Sequence, residues 1–591
     1  MRIGRSFAAW LVGPPGQVRF VRRRTGLELG QTNLTFMKST MQDHPLLISM
    51  ILRRGMTIHG DSIVRTVESF DPQTKTLTSR TATFAEVGAN SGRLANALRK
   101  LGITSDERVA TFSWNHQEHL ECYLGIPSMG AVIHTLNIRL FPEQLTYVVN
   151  HADDRVIVID GSLIPLLCKV AGTLPSVTHF LVVGEGDHSM LSEAFPSAKT
   201  LDYHATLAVE SPDFAWPEDL DETSAAAMCY TSGTTGNPKG VAYSHRSTWI
   251  HSLASLGAPV LGLNEPDRAL VIVPMFHANA WGAPYSAFFC GADFVFPKQF
   301  LQAAPLAQMI SEFRPTVTMA VPTIWNDLWN YGEVHGLDMS SLRSVTAGGS
   351  AVPRVLMERF LDKYGLQIMQ GWGMTETSPL GSLARPHKYA PVETHMDLHD
   401  LAGRVLAGVE MRIVSNEITG EVAPADGQTI GEIEVRGPWI TASYYLDATP
   451  EKFRDGWLRT GDMGVLDSLG YLRITDRTKD VIKSGGEWVS SIDLENAIMA
   501  HPLVLEAAVV GVPDAKWDER PLACIVVREG TTADDALIAE VKAFLGERVA
   551  KWWIPDSWSF IEAVPKTSVG KFDKKVLRAQ HGDGLLTVHM V

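Results

Sequence analysis

The feature of this sequence that most constrains its fold is an alternation between short, continuous apolar runs and longer helical patterns. These runs lie at 108–112, 155–159, 269–273 and 317–321 and are mainly apolar, with Arg108, Thr111, Arg155 and Thr318 as the exceptions. The segment Phe84–Leu101 has helical spacing and is followed by Gly102. Continuous apolar runs are typical of strands that are buried on both faces. Strands that alternate with helices predict a parallel sheet with helices on both sides.

The pattern changes after about Leu401. The runs 409–414 and 431–435 alternate apolar and polar residues, which is typical of half-exposed antiparallel strands. Beyond Asp476 lies an α+β stretch of about a hundred residues, an ordinary size for a small domain. We predict a large α/β N-terminal domain over 37–475, with parallel sheets covered by helices and a small β subdomain. A hinge at 476–480 would join it to a mobile, smaller α+β C-terminal domain over 481–591.

Length and charge limit the classes of function. The 591 residues exceed what one ordinary core needs, and the formal net charge of −14 argues against a nucleic-acid partner. The five cysteines form no CxxC pair, and no apolar run is long enough to span a bilayer, so we expect a cytoplasmic protein. Residues 1–36 are basic, and we expect a disordered extension or a start codon assigned too early; a basic arm on anionic lipid is the alternative.

A Thr/Gly-rich segment follows the apolar run 225–228, which has the pattern of a strand. Its sequence is Tyr230–Thr231–Ser232–Gly233–Thr234–Thr235–Gly236–Asn237–Pro238–Lys239–Gly240. Glycines let a backbone approach phosphate oxygens, hydroxyls donate hydrogen bonds, and the lysine adds positive charge. The segment is not the common GxxxxGK[ST] loop, because Pro238 and Gly240 stand where that pattern needs Gly and Ser or Thr. It therefore predicts a phosphate-binding loop of another kind.

This segment resembles the signature loop of the adenylate-forming superfamily: acyl-CoA synthetases, firefly-luciferase-like enzymes and nonribosomal adenylation domains. The resemblance runs from about residue 60 to residue 578, and it is greatest to the medium- and long-chain fatty-acyl-CoA synthetase branch. Further segments that resemble family motifs follow in the family's order: Pro274–Trp281, Gly348–Ala351, Gly371–Thr377, Trp457–Asp462, Lys483–Trp488 and Pro565–Lys571.

The resemblance implies a site for ATP and AMP. The residues expected to contact the nucleotide are Thr231, Ser232, Gly233, Thr234, Thr235, Gly236, Lys239, Gly349, Ser350, Ala351, Gly371, Trp372, Gly373, Met374, Thr375, Asp462 and Arg477. An aromatic ring between glycines suits a flat purine, and a carboxylate accepts from both ribose hydroxyls. Glu376, with Thr231, is expected to hold Mg²⁺, which prefers one or two carboxylates plus substrate phosphates.

The resemblance also implies sites for the acid and the thiol. His277 is expected beside the acyl carboxylate, and Trp281 is expected to gate the acyl tunnel. Lys571 is expected to bridge carboxylate and α-phosphate, because its charge offsets their repulsion, so that Lys571, Glu376 and His277 form the catalytic set. Lys479 is the expected hinge residue. The expected pantetheine channel for coenzyme A consists of Ser484, Gly485, Gly486 and Glu487.

The function predicted from these segments is ATP-dependent formation of an acyl-adenylate, followed by transfer of the acyl group to coenzyme A. A medium- or long-chain fatty acid is the expected substrate, with aryl and small branched acids left open. The alternatives are a fatty-acyl-AMP ligase that delivers to a carrier protein, a luciferase-like oxidase, and a non-enzymatic nucleotide-binding regulator. Small molecules are the expected partners; peripheral membrane contact and a homodimer stay open.

Overall fold

The computed structural model describes residue 37 and residues 39–170, 173–231, 237–447, 449–477, 480–484, 487–514, 516–566 and 572–590, without the side chains of residues 487 and 488. The chain divides into two units, Met1–His44 and Pro45–Val591. The helices and strands described below all lie in the second unit. The predicted basic segment 1–36, Ser232–Gly236, Lys479, Gly485, Gly486 and Lys571 lie outside the described residues.

The described residues form sixteen α-helices. They are α1 Ile48–Ile58, α2 Phe84–Lys100, α3 Gln117–Ser128, α4 Pro142–Ala152, α5 Ile164–Leu167, α6 His188–Ala194, α7 Tyr203–Ala208, α8 His245–Leu256, α9 Ala283–Cys290, α10 Ala303–Phe313, α11 Pro322–His335, α12 Arg354–Tyr364, α13 His395–His399, α14 Ser491–Met499, α15 Asp535–Leu545 and α16 Lys574–Gly582. Among the described residues, no helix has the length and apolar character needed to cross a membrane.

The strands fall into three sheets. They are β1 Ile63–Asp71, β2 Thr76–Thr83, β3 Arg108–Phe112, β4 Val132–Thr135, β5 Asp154–Asp160, β6 His179–Val183, β7 Lys199–Asp202, β8 Ala225–Tyr230, β9 Gly240–Ser244, β10 Arg268–Val271, β11 Asp293–Phe296, β12 Val317–Ala320, β13 Ser344–Gly348, β14 Ile368–Gly373, β15 Leu380–Leu383, β16 Gly403–Val405, β17 Glu410–Asn416, β18 Glu421–Val422, β19 Gly431–Arg436, β20 Phe453–Arg454, β21 Trp457–Leu466, β22 Tyr471–Arg477, β23 Ile482–Ser484, β24 Glu487–Val489, β25 Val504–Asp514, β26 Asp518–Val527, β27 Ser557–Phe560 and β28 His589–Met590.

The first sheet has the strand order β7-β6-β5-β3-β4-β8-β9. Its strands are parallel except for β9, which returns antiparallel to β8. The predicted strand at 108–112 has the bounds of β3, and the one at 155–159 lies inside β5. The alternation in the sequence therefore predicted this sheet correctly. Strand β9 is the edge of the sheet, and the described ends of the Thr/Gly-rich segment, Tyr230 and Gly240, pair in the β8–β9 ladder.

The second sheet follows the path β18-β17-β19-β21-β22-β16-β15-β14-β13-β12-β10-β11-β1-β2, with β20 paired to β21. Strands β14, β13, β12, β10, β11 and β1 are parallel, and the path from β15 to β18 is antiparallel. The expected half-exposed strands at 409–414 and 431–435 correspond to β17 and β19. They continue the hydrogen-bonded path of the parallel strands, so the β subdomain shares their sheet.

The predicted strand 269–273 is wrong at its carboxyl end, since β10 stops at Val271. The reason is a non-local contact. The side-chain amide of Asn115 donates to the carbonyl oxygens of Val271 and Val273, both at 2.8 Å, and its Oδ1 accepts from the nitrogen of Met275 at 2.7 Å. These side-chain bonds occupy backbone groups that would otherwise continue the hydrogen bonding of β10 with its neighbours, and the strand ends there.

Helices cover the two larger sheets. Helix α1 packs against α2, α3 and α9, and the rings of Phe84 and Phe288 stack with centroids 4.2 Å apart. A capping box explains why α2 begins at Phe84: Thr83 Oγ1 accepts from the nitrogen of Glu86, and the carboxylate of Glu86 accepts from the nitrogen of Thr83. Helix α2 ends at Lys100, one residue before the predicted end.

The third sheet, β24-β23-β26-β27-β28 with β25 paired to β26, lies in the C-terminal part of the chain. Helices α14 and α15 pack together, and α14 and α16 pack on β25. Residues that follow the carboxyl ends of β12 and β13 line a cleft together with residues of this part. In open α/β sheets, ligands bind at such carboxyl ends.

Candidate active site

The two described ends of the signature segment are joined by hydrogen bonds. The nitrogen of Thr231 donates to the carbonyl of Lys239 at 2.9 Å, and the nitrogen of Lys239 donates to Thr231 Oγ1 at 3.1 Å. These bonds extend the β8–β9 ladder, which pairs Tyr230 with Gly240. The hairpin therefore holds Thr231 and Lys239 side by side at the base of the connection.

The ammonium group of Lys239 has two partners that sequence reasoning missed. It lies 3.1 Å from Asp447 Oδ2, and it sits 5.0 Å from the centre of the Tyr444 ring. Both partners come from the segment after β19, some two hundred residues along the chain. The sequence Tyr-Tyr-Leu-Asp at 444–447 gives little indication of these contacts with Lys239, which become visible only in the structure.

Glu376 lies on a short 3₁₀ turn, Thr375–Thr377, directly after β14. Its side chain is buried, and Tyr444 Oη donates to its Oε1 at 2.7 Å. The backbone is held as well: the nitrogen of Thr441 donates to the carbonyl of Glu376 at 2.8 Å, and Tyr243 Oη donates to the carbonyl of Thr375 at 2.7 Å. Burial and the nearby carboxylate raise the pKa of Tyr444, so its hydroxyl remains a donor.

The residues present fit the Mg²⁺ that the resemblance implies. Mg²⁺ is usually bound by one or two carboxylates together with substrate phosphates. Glu376 supplies a fixed carboxylate, and Thr231 supplies a hydroxyl oxygen beside the signature segment. In the part of the chain that the structure describes, no group of three or more His, Cys, Asp or Glu side chains gathers to hold a metal alone.

Trp372, Asp462 and Arg477 lie together, as the resemblance predicted for residues of one site. Trp372 Nε1 donates to Asp462 Oδ2 at 2.8 Å, and Arg477 Nε is 3.5 Å from Asp462 Oδ1. The last two residues face each other in the β21–β22 ladder. The Trp372 ring is buried against Gly381, where a methyl group would lie 2.6 Å from the ring. The roles of these residues toward purine and ribose stay predictions.

The remaining motif glycines stand at the carboxyl ends of β13 and β14. Gly349 has a φ of +88°, which favours glycine. A methyl group on Gly373 would lie 1.6 Å from the carbonyl of Pro379, so this position also requires glycine. Gly371 pairs with Gly348 across the two strands, Met374 follows β14, and Ser350 and Ala351 are exposed after β13.

A strained turn carries the two residues predicted to meet the acid. After His277, the four residues Ala278–Trp281 all have φ between +42° and +55°, and Gly282 follows with +82°. Each such non-glycine residue costs roughly 1–2 kcal/mol. Buried contacts hold the turn, because Tyr123 Oη donates to Asn279 Oδ1 at 3.1 Å and to the carbonyl of Met275. Strain of this kind concentrates at functional sites.

An apolar cavity of about 130 Å³ opens at this turn. Three carboxyl ends form it: the chain after β10, which includes His277; the chain after β12; and Gly349 after β13. Its lining consists of Arg139, Ile272, Val273, Pro274, Phe276, His277, Trp281, Leu301, Ala320, Val321, Thr323, Ile324 and Gly349. The end of the Trp281 ring lies 3.2 Å from where a methyl group on Gly348 would stand. Trp281 thus closes one side of the cavity against β13.

A larger cleft of about 310 Å³ separates the carboxyl ends of the sheet from the C-terminal part. Gly349, Ser350, Ala351 and Arg477 line it, as do Lys566 and Phe572, the two described residues that flank 567–571. The cleft shares Thr323 and Gly349 with the apolar cavity. The arrangement places a polar nucleotide-sized space directly beside an apolar one.

A buried ionic cluster lies on the C-terminal side of this cleft, and sequence reasoning missed it. Lys574 Nζ is 2.7 Å from Glu495 Oε1 and donates to Ser491 Oγ at 2.6 Å. Asp476 Oδ2 accepts from the nitrogen of Ser491 at 2.8 Å. Burial raises the pKa of Glu495, and the charge of Lys574 opposes that rise. The cluster ties α16, which begins just after Lys571, to α14 and to the end of β22.

The predicted pantetheine channel is only partly described. Ser484 is buried, and Arg520 donates to its Oγ at 3.3 Å. Glu487 begins β24, which pairs with β23. Lys479 follows Arg477, and the nitrogen of Asp480 donates to the carbonyl of Arg477 at 2.8 Å. The roles of Lys479 as hinge and of Ser484–Glu487 as channel stay predictions.

A pH effect follows from His251, which packs behind the strained turn. A methyl group on Gly282 would lie 2.8 Å from its ring, and burial lowers the pKa of His251 to about 4. The folded state favours the neutral ring, so this stabilisation is complete above about pH 6.5 and falls as pH drops toward 4. At about pH 5 the wild type should lose roughly 2 kcal/mol that His251→Phe retains.

The measurement is chemical unfolding of both proteins near neutral pH and at mildly acidic pH. His335→Phe, at an exposed position, is the control and should keep the wild-type pH dependence. Equal losses in the wild type and in His251→Phe would contradict the assignment of the effect to His251.

Two family models match the chain. The one described as AMP-binding enzyme matches residues 67–445, and the one described as AMP-binding enzyme C-terminal domain matches residues 493–571. Asp462, Arg477 and strand β22 fall between the two matches. The predicted boundaries at 36, 475 and 480 stay predictions.

Curated relatives and solved structures resemble nearly the whole chain. A 3-methylmercaptopropionyl-CoA ligase of Ruegeria lacuscaerulensis is 41% identical over 552 residues, which is 93% of this chain and 100% of that protein. A medium-chain-fatty-acid–CoA ligase of Ectopseudomonas oleovorans is 38% identical, with 93% of this chain and 98% of that protein covered. The crystal structure of the anthranilate CoA ligase AuaEII with anthranoyl-AMP has a TM-score of 0.81 and 26% identity, covering 93% of this chain and 100% of that one.

Proposed function

Because the chain belongs to the family of AMP-binding enzymes and is an AMP-forming acid–CoA ligase, we propose that its acid is a fatty acid of medium chain length. The observation that carries this proposal is the apolar cavity beside His277 and Gly349. Most of its lining is aliphatic or aromatic, which favours a hydrocarbon chain over a charged or hydroxylated one. Its modest volume favours a medium chain over a long one while Trp281 stays in place.

The proposed first step is attack of a carboxylate oxygen on the α-phosphorus of ATP, with release of pyrophosphate. Both reactants are anionic, so the residues have to offset charge and align the groups. Lys571 and Lys239 carry the positive charge in this proposal. Bound Mg²⁺, held by Glu376 and Thr231, supplies further neutralisation of the triphosphate.

Asp462 and Arg477 orient the ribose in the proposal, and Gly349–Ala351 and Gly371–Met374 line the nucleotide. The shared border at Thr323 and Gly349 supports this assignment, because it lets the carboxylate reach the α-phosphate without leaving the apolar cavity. His277 lines that cavity, and in the proposal it orients the carboxylate.

The proposed second step is attack of the coenzyme A thiol on the acyl-adenylate, which releases AMP. Motion about Lys479 would exchange Lys571 for the Ser484–Glu487 channel. We place this reaction in the cytoplasm; the five free thiols, three of them buried, support a reducing compartment.

The test is pyrophosphate release by the purified protein with ATP and Mg²⁺, with and without coenzyme A. The panel is acetate, butyrate, hexanoate, octanoate, decanoate, palmitate, benzoate and 3-methylmercaptopropionate, the acid that corresponds to the Ruegeria relative's product. We expect the highest kcat/KM with hexanoate to decanoate, and an acyl-CoA product. A maximum with benzoate or 3-methylmercaptopropionate would reject the proposed chain class, and no release with any acid would reject adenylation.

A further inference from the structure

Tyr444 lies between two parts of the candidate site that are far apart in the sequence. On one side its hydroxyl donates to Glu376 Oε1 at 2.7 Å. On the other side its ring faces the ammonium group of Lys239, 5.0 Å from the ring centre. Tyr444 and Glu376 are both buried, with 7% and 6% of their surfaces exposed. A hydrogen bond in a buried site is electrostatically stronger than one in water, so this bond helps to orient the carboxylate.

The segment that carries Tyr444 is itself bound to the turn that carries Glu376. The nitrogen of Thr441 donates to the carbonyl of Glu376 at 2.8 Å, and Ser378 Oγ donates to the carbonyl of Trp439 at 2.7 Å. The tyrosine hydroxyl is the third link, and it is the one that reaches the carboxylate. Segment 439–447 therefore acts as a brace on the 3₁₀ turn Thr375–Thr377.

The same brace is bound to the signature hairpin. The nitrogen of Tyr445 donates to the carbonyl of Gly240 at 2.8 Å, and Asp447 Oδ2 is 3.1 Å from Lys239 Nζ. Lys239 thus contacts the brace twice, through an ion pair with Asp447 and through the face of the Tyr444 ring. A cation over an aromatic face is attracted by the ring, more strongly where water is excluded.

We propose that Tyr444 is a positioning residue that fixes the Glu376 carboxylate for metal binding and links it, through Lys239 and Asp447, to the β8–β9 hairpin. The inference rests on the proposed function, since it concerns how that site is organised. Tyr444 touches no reacting atom in this assignment. Partners that orient metal-ligating carboxylates commonly change metal affinity by about 10–100-fold when they are removed.

A purely structural role is the rival explanation, because Tyr444 also packs in the core near Phe453. Tyr444→Phe separates the two explanations, since it keeps the ring and removes only the hydroxyl. The readout is Mn²⁺ affinity, measured by electron paramagnetic resonance, with Mn²⁺ replacing Mg²⁺ and α,β-methylene-ATP as the nucleotide. We expect the Mn²⁺ dissociation constant to rise about tenfold, with raised Mg²⁺ restoring much of the lost adenylation rate.

Tyr203→Phe is a closely matched control. Tyr203 is also buried and also donates to a buried carboxylate, Glu121 Oε2, at 2.7 Å. Its hydroxyl bonds to Glu121 of α3, so its variant should keep the wild-type Mn²⁺ affinity. A second comparison uses Glu376→Ala: in that background, Tyr444→Phe should have no further effect, because the carboxylate it orients is gone.

If Tyr444→Phe fails to fold, Asp447→Asn takes its place, because the Asp447 side chain is 32% exposed. It should weaken Mn²⁺ binding by about threefold, because Lys239 loses its ion pair and is held less firmly against the Tyr444 ring. Unchanged Mn²⁺ affinity in Tyr444→Phe, or an equal loss of Mn²⁺ affinity in Tyr203→Phe, would overturn the inference. Pyrophosphate release by the wild type would still uphold the proposed function in that case. If the wild type itself never releases pyrophosphate, the proposed function fails first.

Discussion

Lys571→Ala is expected to lower the rate of acyl-adenylate formation by at least about a hundredfold, while thioester formation from supplied acyl-adenylate survives. Carboxylate and triphosphate repel each other as they meet, and Lys571 is proposed to offer the positive charge that is needed at that moment. Thioester formation starts from a neutral acyl carbon and needs no such bridge. The measurement is a pair of assays: ATP–pyrophosphate exchange with octanoate, and acyl-CoA formation from octanoyl-adenylate.

Lys551→Ala provides the matched control, because Lys551 is an exposed lysine of the same C-terminal part. It should leave both half-reactions at wild-type rates. A Lys571→Ala protein that loses both half-reactions equally, while its unfolding temperature matches the wild type, would contradict a role confined to the first step.

Trp281→Ala is expected to shift acid preference toward long chains. Its ring closes the apolar cavity against Gly348, so its removal lengthens the space available to the chain. Each additional buried methylene contributes about 0.8 kcal/mol. The ratio of kcat/KM for palmitate to kcat/KM for hexanoate should therefore rise by about 10–100-fold relative to the wild type.

Trp517→Ala serves as the control for Trp281→Ala, because Trp517 is 42% exposed in the C-terminal part. Its chain-length profile should overlay that of the wild type. If Trp281→Ala lowers activity evenly on all acids, the ring supports the turn and does not limit the chain.

The fold could be predicted from the sequence where the signal lies in consecutive or neighbouring residues. The strand at 108–112 and the helix that begins at Phe84 have the observed starts, because continuous burial and a capping box are recorded in neighbouring residues. The end of β10 could not be predicted. It depends on Asn115, which reaches the strand from more than 150 residues away and takes its carbonyl groups.

The same contrast between sequence signals and contacts made by packing holds for the candidate site. The motif order placed Trp372, Asp462 and Arg477 in one site, and the structure brings these three together. Tyr444 and Asp447 carry no distinctive spacing, so their contacts with Glu376 and Lys239 emerge only from the packing of segment 439–447. Lys574 was missed for a similar reason, since a lysine three residues after Lys571 gives no sign of being buried against Glu495.

Gly349 and Thr323 border both the apolar cavity and the larger cleft, so the proposed acid and nucleotide sites share these two residues as a common wall. A mutation that moves this common wall to admit a bulkier acid would also move the surface of the proposed nucleotide site. Acid selectivity and ATP KM are therefore coupled traits on this side of the cavity. Substitutions at Leu301 and Phe276, which line the apolar cavity and not the larger cleft, should change the preferred acid without a penalty in ATP affinity.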